Sequence, residues 1–386
     1  MKSSDPSSPA PKRSFAGKIL YALQLFAINF LIFAVLAEVV SLILVHRRNW
    51  PASRPSYRLA YNSFWTDINP VFGVWHRSNG DYVHKGGCYS VEYFTNRYGA
   101  RDVERSIHSD KPRTIVLGDS FIEGMGLPAD ERLTNILEKE TGREHLNFGT
   151  GGDFGPLQYA LLYKSLASPF DHNLVIVGVL PDNDFRDMDP NYYAKIGEAT
   201  RYRPYYAGDF SVYYTGHFDP NAGESAADHI EAFFRAYLAS YHVGQYIYTR
   251  FYWRNIHAYS GYNDYNAVDY ARLQEALLDI KSTADAHGAQ VGVFLIPRFT
   301  DFVAFHRGEN RLGPALVAWG REVGIPVLDL LPQEAADAKG NDRAYFLECD
   351  GHWSYHGSQE AAKILKPWLY GTPSSPQSGP LLNANR

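Results

Sequence analysis

The chain has 386 residues, 45% of them hydrophobic and 20% charged, with a formal net charge of −5. That is enough for one sizeable catalytic domain plus additions, and it lacks the basic excess that nucleic-acid binding needs. Two cysteines, Cys88 and Cys349, are too few for a disulfide scaffold and have no metal-ligand spacing.

Residues 1–11 are rich in Ser and Pro and read as part of a disordered N-terminus, residues 1–14. Residues 19–45 are apolar, interrupted mainly by Gln24, Asn29, Glu38 and Ser41. The stretch exceeds the ~20 residues that a helix needs to cross a bilayer, so residues 15–46 are expected to be a transmembrane anchor. Lys12, Arg13 and Lys18 precede it and Arg47 and Arg48 follow, which favours a cytoplasmic N-terminus only weakly. A signal peptidase could read Val35-Leu36-Ala37, but apolar residues run on to Val45, favouring an uncleaved anchor over a cleaved leader. A buried core helix is the competing reading. In an oxidising compartment the two cysteines could pair; two buried free thiols is the alternative.

Residues 47–111 are dense in aromatics and turn residues, and short alternating pieces such as 89–94 predict a few strands or a hairpin. This segment is expected to pack on the domain that follows, residues 112–371. There the pattern becomes regular. Residues 114–117 form a short β-branched run ended by Gly118, a buried strand that opens into a turn carrying Ser120. Residues 129–141 predict a helix, 145–148 a strand, 157–167 a helix, and the unbroken apolar run 174–180 a strand buried on both faces. Residues 187–265 interrupt the alternation and hold more than half of the 28 tyrosines. An insertion at this point lies after a strand's C-terminal end, so it reads as a lid or substrate platform, with Tyr192, Tyr193 and Arg201 as candidate sugar contacts. A helix at 268–286, a strand at 290–296, a helix at 312–323, a strand at 326–330 and a last helix at 355–370 follow. Five strands alternating with helices predict a doubly wound α/β sheet, and residues 372–386 a flexible tail.

Every candidate reactive group follows a strand or precedes the last helix, positions that share one rim of a parallel sheet. The residue types suit acyl transfer. Ser120 is a nucleophile once a base takes its proton, and His352 has the carboxylate of Asp350 two residues before it. The N–H groups of Ser120 and Gly152 and the side-chain amide of Asn183 could stabilise an oxyanion. Gly124-Met125-Gly126 is not followed by the Lys-Ser/Thr of a phosphate loop, and the remaining histidines lack zinc spacing.

Gly118-Asp119-Ser120-Phe121, the Gly152 loop, Asn183 within Asp182-Asn183-Asp184, and Asp350-Gly351-His352 resemble, in order, the four blocks of the SGNH (GDSL-type) hydrolases. The resemblance spans residues 113–370 apart from the insertion. It implies a flavodoxin-like three-layer α/β/α fold with a five-stranded parallel sheet, and a serine enzyme working without metal or cofactor. Ser120 would be the nucleophile, His352 the base, Asp350 its orienter, and Ser120, Gly152 and Asn183 the oxyanion hole. Two departures stand out. The family usually places two residues between Asp and His, where this chain has only Gly351, and Gly before the Asn, where this chain has Asp182. The Asp-x-His-Trp form resembles that of SGNH-like polysaccharide O-acetyltransferases, which adds Trp353 as a substrate contact. Asn96-Arg97-Tyr98-Gly99-Ala100-Arg101-Asp102 is similar to a stretch that often precedes the Ser block in membrane-anchored bacterial members.

The expectation is a single-pass protein of the bacterial inner membrane, its catalytic domain on the periplasmic or extracellular side. It would act as a serine esterase on acylated carbohydrate, or as an O-acetyltransferase drawing on a membrane-bound acyl-donor protein, without nucleic acid. A catalytically idle glycan-binding or scaffold protein is the reading from another class.

Overall fold

The computed structural model describes residues 14–47, 50–59, 64–253 and 259–371. The expectations for the extreme termini, residues 1–13 and 372–386, lie outside these. Helix α1 (Phe15–Val45) is long and apolar enough to cross a membrane, with a mean hydropathy of 2.6 over its best window, and most of its surface is uncovered by the rest of the protein. Two antiparallel hairpins follow, β1 (Thr66–Asn69) with β2 (Gly73–Trp75) and β3 (Asp81–Lys85) with β4 (Ser90–Phe94).

The central part runs β5 (Arg113–Gly118), α2 (Ser120–Glu123), α3 (Leu133–Thr141), β6 (Glu144–Gly149), α4 (Pro156–Leu162), β7 (Leu174–Val179) and α5 (Pro181–Asp187). The insertion supplies α6 (Pro190–Lys195), an antiparallel hairpin of β8 (Arg203–Tyr206) and β9 (Val212–Thr215), then α7 (Ala226–Tyr237) and α8 (Ala239–Trp253). The alternation resumes with α9 (Ala267–Ala286), β10 (Gln290–Leu295), α10 (Phe299–Phe305), α11 (Leu312–Val323), β11 (Val327–Asp329), α12 (Leu331–Ala338) and α13 (Tyr355–Tyr370).

Five strands form one parallel sheet in the order β11-β10-β7-β5-β6. Counted by appearance this is 2-1-3-4-5, the flavodoxin-like doubly wound order. Every residue of β5 and β7 is buried, which is why both read as unbroken apolar runs. Helix α4 packs on α9, whereas α3 packs on α13 and α13 on α12. Right-handed crossovers on either side of the β5/β7 switch put these two groups on opposite faces, giving three layers.

One helix starts later than its sequence pattern predicts. Residues 129–131 form a 3₁₀ turn, and Arg132 is extended before α3 begins. Its buried guanidinium donates to the carbonyl of Ala129 and to Asn135, and these bonds hold the chain out of the helix.

Candidate active site

Ser120 stands where β5 hands over to α2. The Asp119 carboxylate caps this short helix, accepting from the Phe121 N–H at 2.9 Å, and Gly124 ends it in the left-handed conformation (φ +80°). The Ser120 hydroxyl is thereby fixed above the sheet's C-terminal edge. Its Oγ lies 2.8 Å from His352 Nε2. On the other side of the ring, Nδ1 lies 2.5 Å from Asp350 Oδ1, and the same oxygen accepts from the His352 backbone N–H at 3.1 Å. The single residue between Asp350 and His352 therefore does not part them, because the carboxylate folds back over its own turn.

The electrostatics follow from this contact. Burial works to lower the His352 pKa, but the adjacent Asp350 charge and hydrogen bond outweigh it and hold the imidazole above its ordinary value. Burial likewise works to raise Asp350, and His352 reverses that, keeping the carboxyl well below the usual range. Nearby, burial pushes the Asp119 carboxyl up to about 6.

The two remaining blocks sit on neighbouring loops of the same edge, since Gly118 is level with Gly149 across the β5/β6 pair and Leu117 with Val177 across β5/β7. Gly152 has φ +84°, and a Cβ there would come within 2.9 Å of Val74 Cγ2. Only glycine fits this tight backbone. Asn183 is half-buried in the first turn of α5, and its side-chain amide has no hydrogen-bond partner among the described residues. Its neighbours lock the turn. Asp184 accepts from the Leu180 N–H at 2.9 Å and from the Tyr159 hydroxyl at 2.7 Å, while Asp182 pairs with Arg298. Asp182, where the family pattern has Gly, thus ties the Asn183 turn to the loop after β10, and Arg298 in turn borders Gly351.

The predicted substrate contacts are placed differently. Trp353 is 2% exposed, its indole edge-on to Phe121, so it packs beneath the site. Tyr193 is equally buried and donates to Asp187 at 2.6 Å. Neither offers a face to a cleft. Tyr192 is half-buried against Tyr193. Arg201 binds Asp67 (2.9 and 3.1 Å), Asp153 (2.8 Å) and the Gly152 carbonyl (2.8 Å), so it clamps the Gly152 loop. With Phe64, Trp65, Tyr82, Asp67 and Asp228 it also borders a cavity of about 320 Å³.

Sequence reasoning missed the role of the segment before the sheet. Glu123 is fully buried, accepts from Trp65 Nε1 at 3.0 Å and from the Gly151 N–H, and lies 3.5 Å from His76 Nε2. Burial raises its pKa, but His76, Arg101 and Trp65 together hold it below the ordinary value. It thus joins the Ser120 helix to the Gly152 loop as a carboxylate. Arg101 donates to the carbonyls of Glu123, Gly124 and Leu127 at 2.7–2.8 Å, closing the turn after Ser120. The Arg101-Asp102 dipeptide was the available signal. Behind Asp350, Tyr89 borders the same cavity and its hydroxyl lies 3.3 Å from His84 Nε2; burial and the Asp350 charge push the Tyr89 pKa up, and burial pushes His84 down to about 4. Cys88 and Cys349, the residues immediately before Tyr89 and Asp350, form a disulfide.

No protein-family model and no curated protein matches the chain. Among solved structures, it is similar to a member of the lipolytic G-D-S-L family from Veillonella parvula, at 11% identity and a TM-score of 0.35, covering 65% of this chain and 94% of that one. A GDSL-like lipase from Bacteroides thetaiotaomicron is similar at 12% identity and a TM-score of 0.32, covering 66% and 86%.

Proposed function

We propose that this chain is a membrane-anchored serine acyl hydrolase or acyl transferase acting on O-acylated carbohydrate. The observation that carries the proposal is the continuous contact from Ser120 Oγ through the His352 ring to Asp350. In the first step the Ser120 oxygen attacks the ester carbonyl while its proton passes to His352 Nε2, and Asp350 stabilises the resulting imidazolium. Negative charge grows on the carbonyl oxygen, where the N–H groups of Ser120 and Gly152 and the Asn183 amide would donate to it. Collapse of the intermediate expels the sugar alkoxide, which takes the proton from His352. Water or a second sugar hydroxyl then attacks the acyl-serine, with His352 as base again, and this choice separates hydrolysis from transfer.

The carbohydrate class is supported by the cavity beside the Gly152 loop. It combines the aromatic rings of Phe64, Trp65 and Tyr82 with the carboxylates of Asp67 and Asp228, a pairing that suits the apolar faces and hydroxyls of sugar rings. Anchoring is supported by α1, and an oxidising compartment by the disulfide.

Labelling by a fluorophosphonate probe, lost in Ser120→Ala, is the expected result; an unlabelled but folded native protein would refute the serine chemistry. Turnover of p-nitrophenyl acetate with and without an oligosaccharide acceptor then separates the two fates of the acyl-enzyme. Acceptor-dependent turnover marks a transferase and acceptor-independent turnover a hydrolase.

A further inference from the structure

Helices α7 and α8 are amphipathic in the inverted sense. On α7 the inward face carries Asp228, Ala232, Arg235 and Ala236, while Ile230, Phe233, Phe234 and Tyr237, at the i, i+3, i+4, i+7 spacing of one stripe, are 36–56% exposed. On α8, His242 and Tyr246 face inward, whereas Ile247 and Phe251 are 47% and 70% exposed. Aromatic and aliphatic residues turned outward on two adjacent helices, although Gln245, Thr249 and Arg250 of α8 are exposed beside them, are poorly matched to water.

Their position identifies the medium. Helix α8 packs along the end of α1, where Ser41 and Val45 are buried. The Glu38 carboxylate, the only charge within α1 beyond Lys18, accepts from the N–H groups of Ala239 and Ser240 at 2.6 and 3.0 Å and so caps the start of α8. At 1.5 Å per residue, Lys18 and Glu38 are about 30 Å apart along the helix, the thickness of a bilayer's hydrocarbon core. Glu38 then marks the outer boundary of that core, and the α7–α8 corner begins at the same level. Higher up, Trp50 packs against Tyr246 with ring centroids 5.0 Å apart, an aromatic pair of the kind found in the headgroup layer.

We infer that α7 and α8 form a hairpin seated in the lipid headgroup region beside α1, its aromatic stripes covered by the bilayer. This rests on the anchoring read from α1. It also has a consequence for the site, because the inward face of α8, through His242 and Tyr246, lines a cavity whose other wall carries Tyr89 and Asp350. The triad is thereby held close above the membrane surface, facing substrates presented there.

The test uses the full chain in phosphatidylethanolamine/phosphatidylglycerol vesicles, with nitroxide labels at single cysteines: Phe33→Cys in α1, Phe234→Cys and Phe251→Cys on the stripes, and Lys164→Cys on an exposed site elsewhere. The native cysteines are paired and leave each label unique. Collision with oxygen is expected to exceed collision with a water-soluble nickel chelate several-fold at positions 33, 234 and 251, with the reverse at 164. If 234 and 251 behave like 164 while 33 is lipid-exposed, the hairpin inference falls and the anchor stands. If 33 is also open to the chelate, the anchoring reading itself fails. Low access to both reagents with dipolar broadening between 234 labels means that a second copy covers the stripes, which overturns the lipid assignment.

Discussion

Opening the Cys88–Cys349 bond is expected to weaken both fold and site, by separate routes. The two residues are 261 positions apart, and for a loop of that length the chain-entropy relation gives an upper bound of about 5.6 kcal/mol at 25 °C. Cross-links of this kind typically contribute ~2–4 kcal/mol, so the Cys88→Ser/Cys349→Ser protein is expected to melt roughly 3–6 °C lower. The effect on the site follows from adjacency. The cysteines immediately precede Tyr89 and Asp350, which border one cavity, so the cross-link holds these two side chains beside each other. Without it the Asp350 carboxylate gains freedom, the imidazole loses its orientation, and kcat is expected to fall more than KM changes. The assay compares p-nitrophenyl acetate turnover and melting of native, reductant-treated and double-serine protein. A variant that melts and turns over like native enzyme would refute the coupling; one that melts lower but keeps kcat would refute only the link to Asp350.

Because Asp350 holds His352 above its ordinary pKa, turnover should rise with pH through a midpoint above ~6.5, and Asp350→Asn should move that limb to lower pH and cut kcat by on the order of 10⁴. The same pair sets a stability window. A raised histidine stabilises the fold below its unfolded pKa and loses this as pH climbs through the folded value, whereas the depressed Asp350 stabilises above its unfolded pKa and loses this on acidification. The stability advantage of the native protein over Asp350→Asn should therefore be greatest in the mildly acidic range. Gly152→Ala forces a side chain onto φ +84° and against Val74, so fluorophosphonate labelling should slow sharply and stability should drop by about 1–3 kcal/mol. Arg101→Lys keeps the charge but loses the fork that spans three carbonyls; a stability loss of roughly 1.5–3 kcal/mol with slowed labelling is expected, and unchanged values would show that the turn after Ser120 needs no such brace.

The sheet was legible because its strands are buried on both faces, and residues such as Ile115, Val116, Ile176 and Val177 leave no other reading for runs of that length. Ser120, Asp350 and His352 were legible because chemistry restricts which side chains can fill those places at strand ends. Arg201 was legible only in part, since a guanidinium in a tyrosine-rich insertion gives no hint that Asp67 and Asp153 pair with it while it borders the cavity. Trp353 and Tyr193 were misjudged for a related reason: an aromatic residue beside a motif looks the same in sequence whether it faces the cleft or the core. Glu123, His76 and Trp65 carry no motif, and only long-range folding brings them to the Gly152 loop. Helices α7 and α8 of the insertion were hidden because their apolar stripes point away from the core.

The stretch that leads out of α1 is the same one that supplies Trp65 to Glu123, Cys88 to Cys349 and Arg101 to the turn behind Ser120. Residues 50–111 and the parallel sheet are therefore not separable modules. Cleavage between Val45 and Trp50 would keep these braces but take Glu38 away from the start of α8, whereas trimming back to Arg113 would also strip the braces that hold the turn behind Ser120.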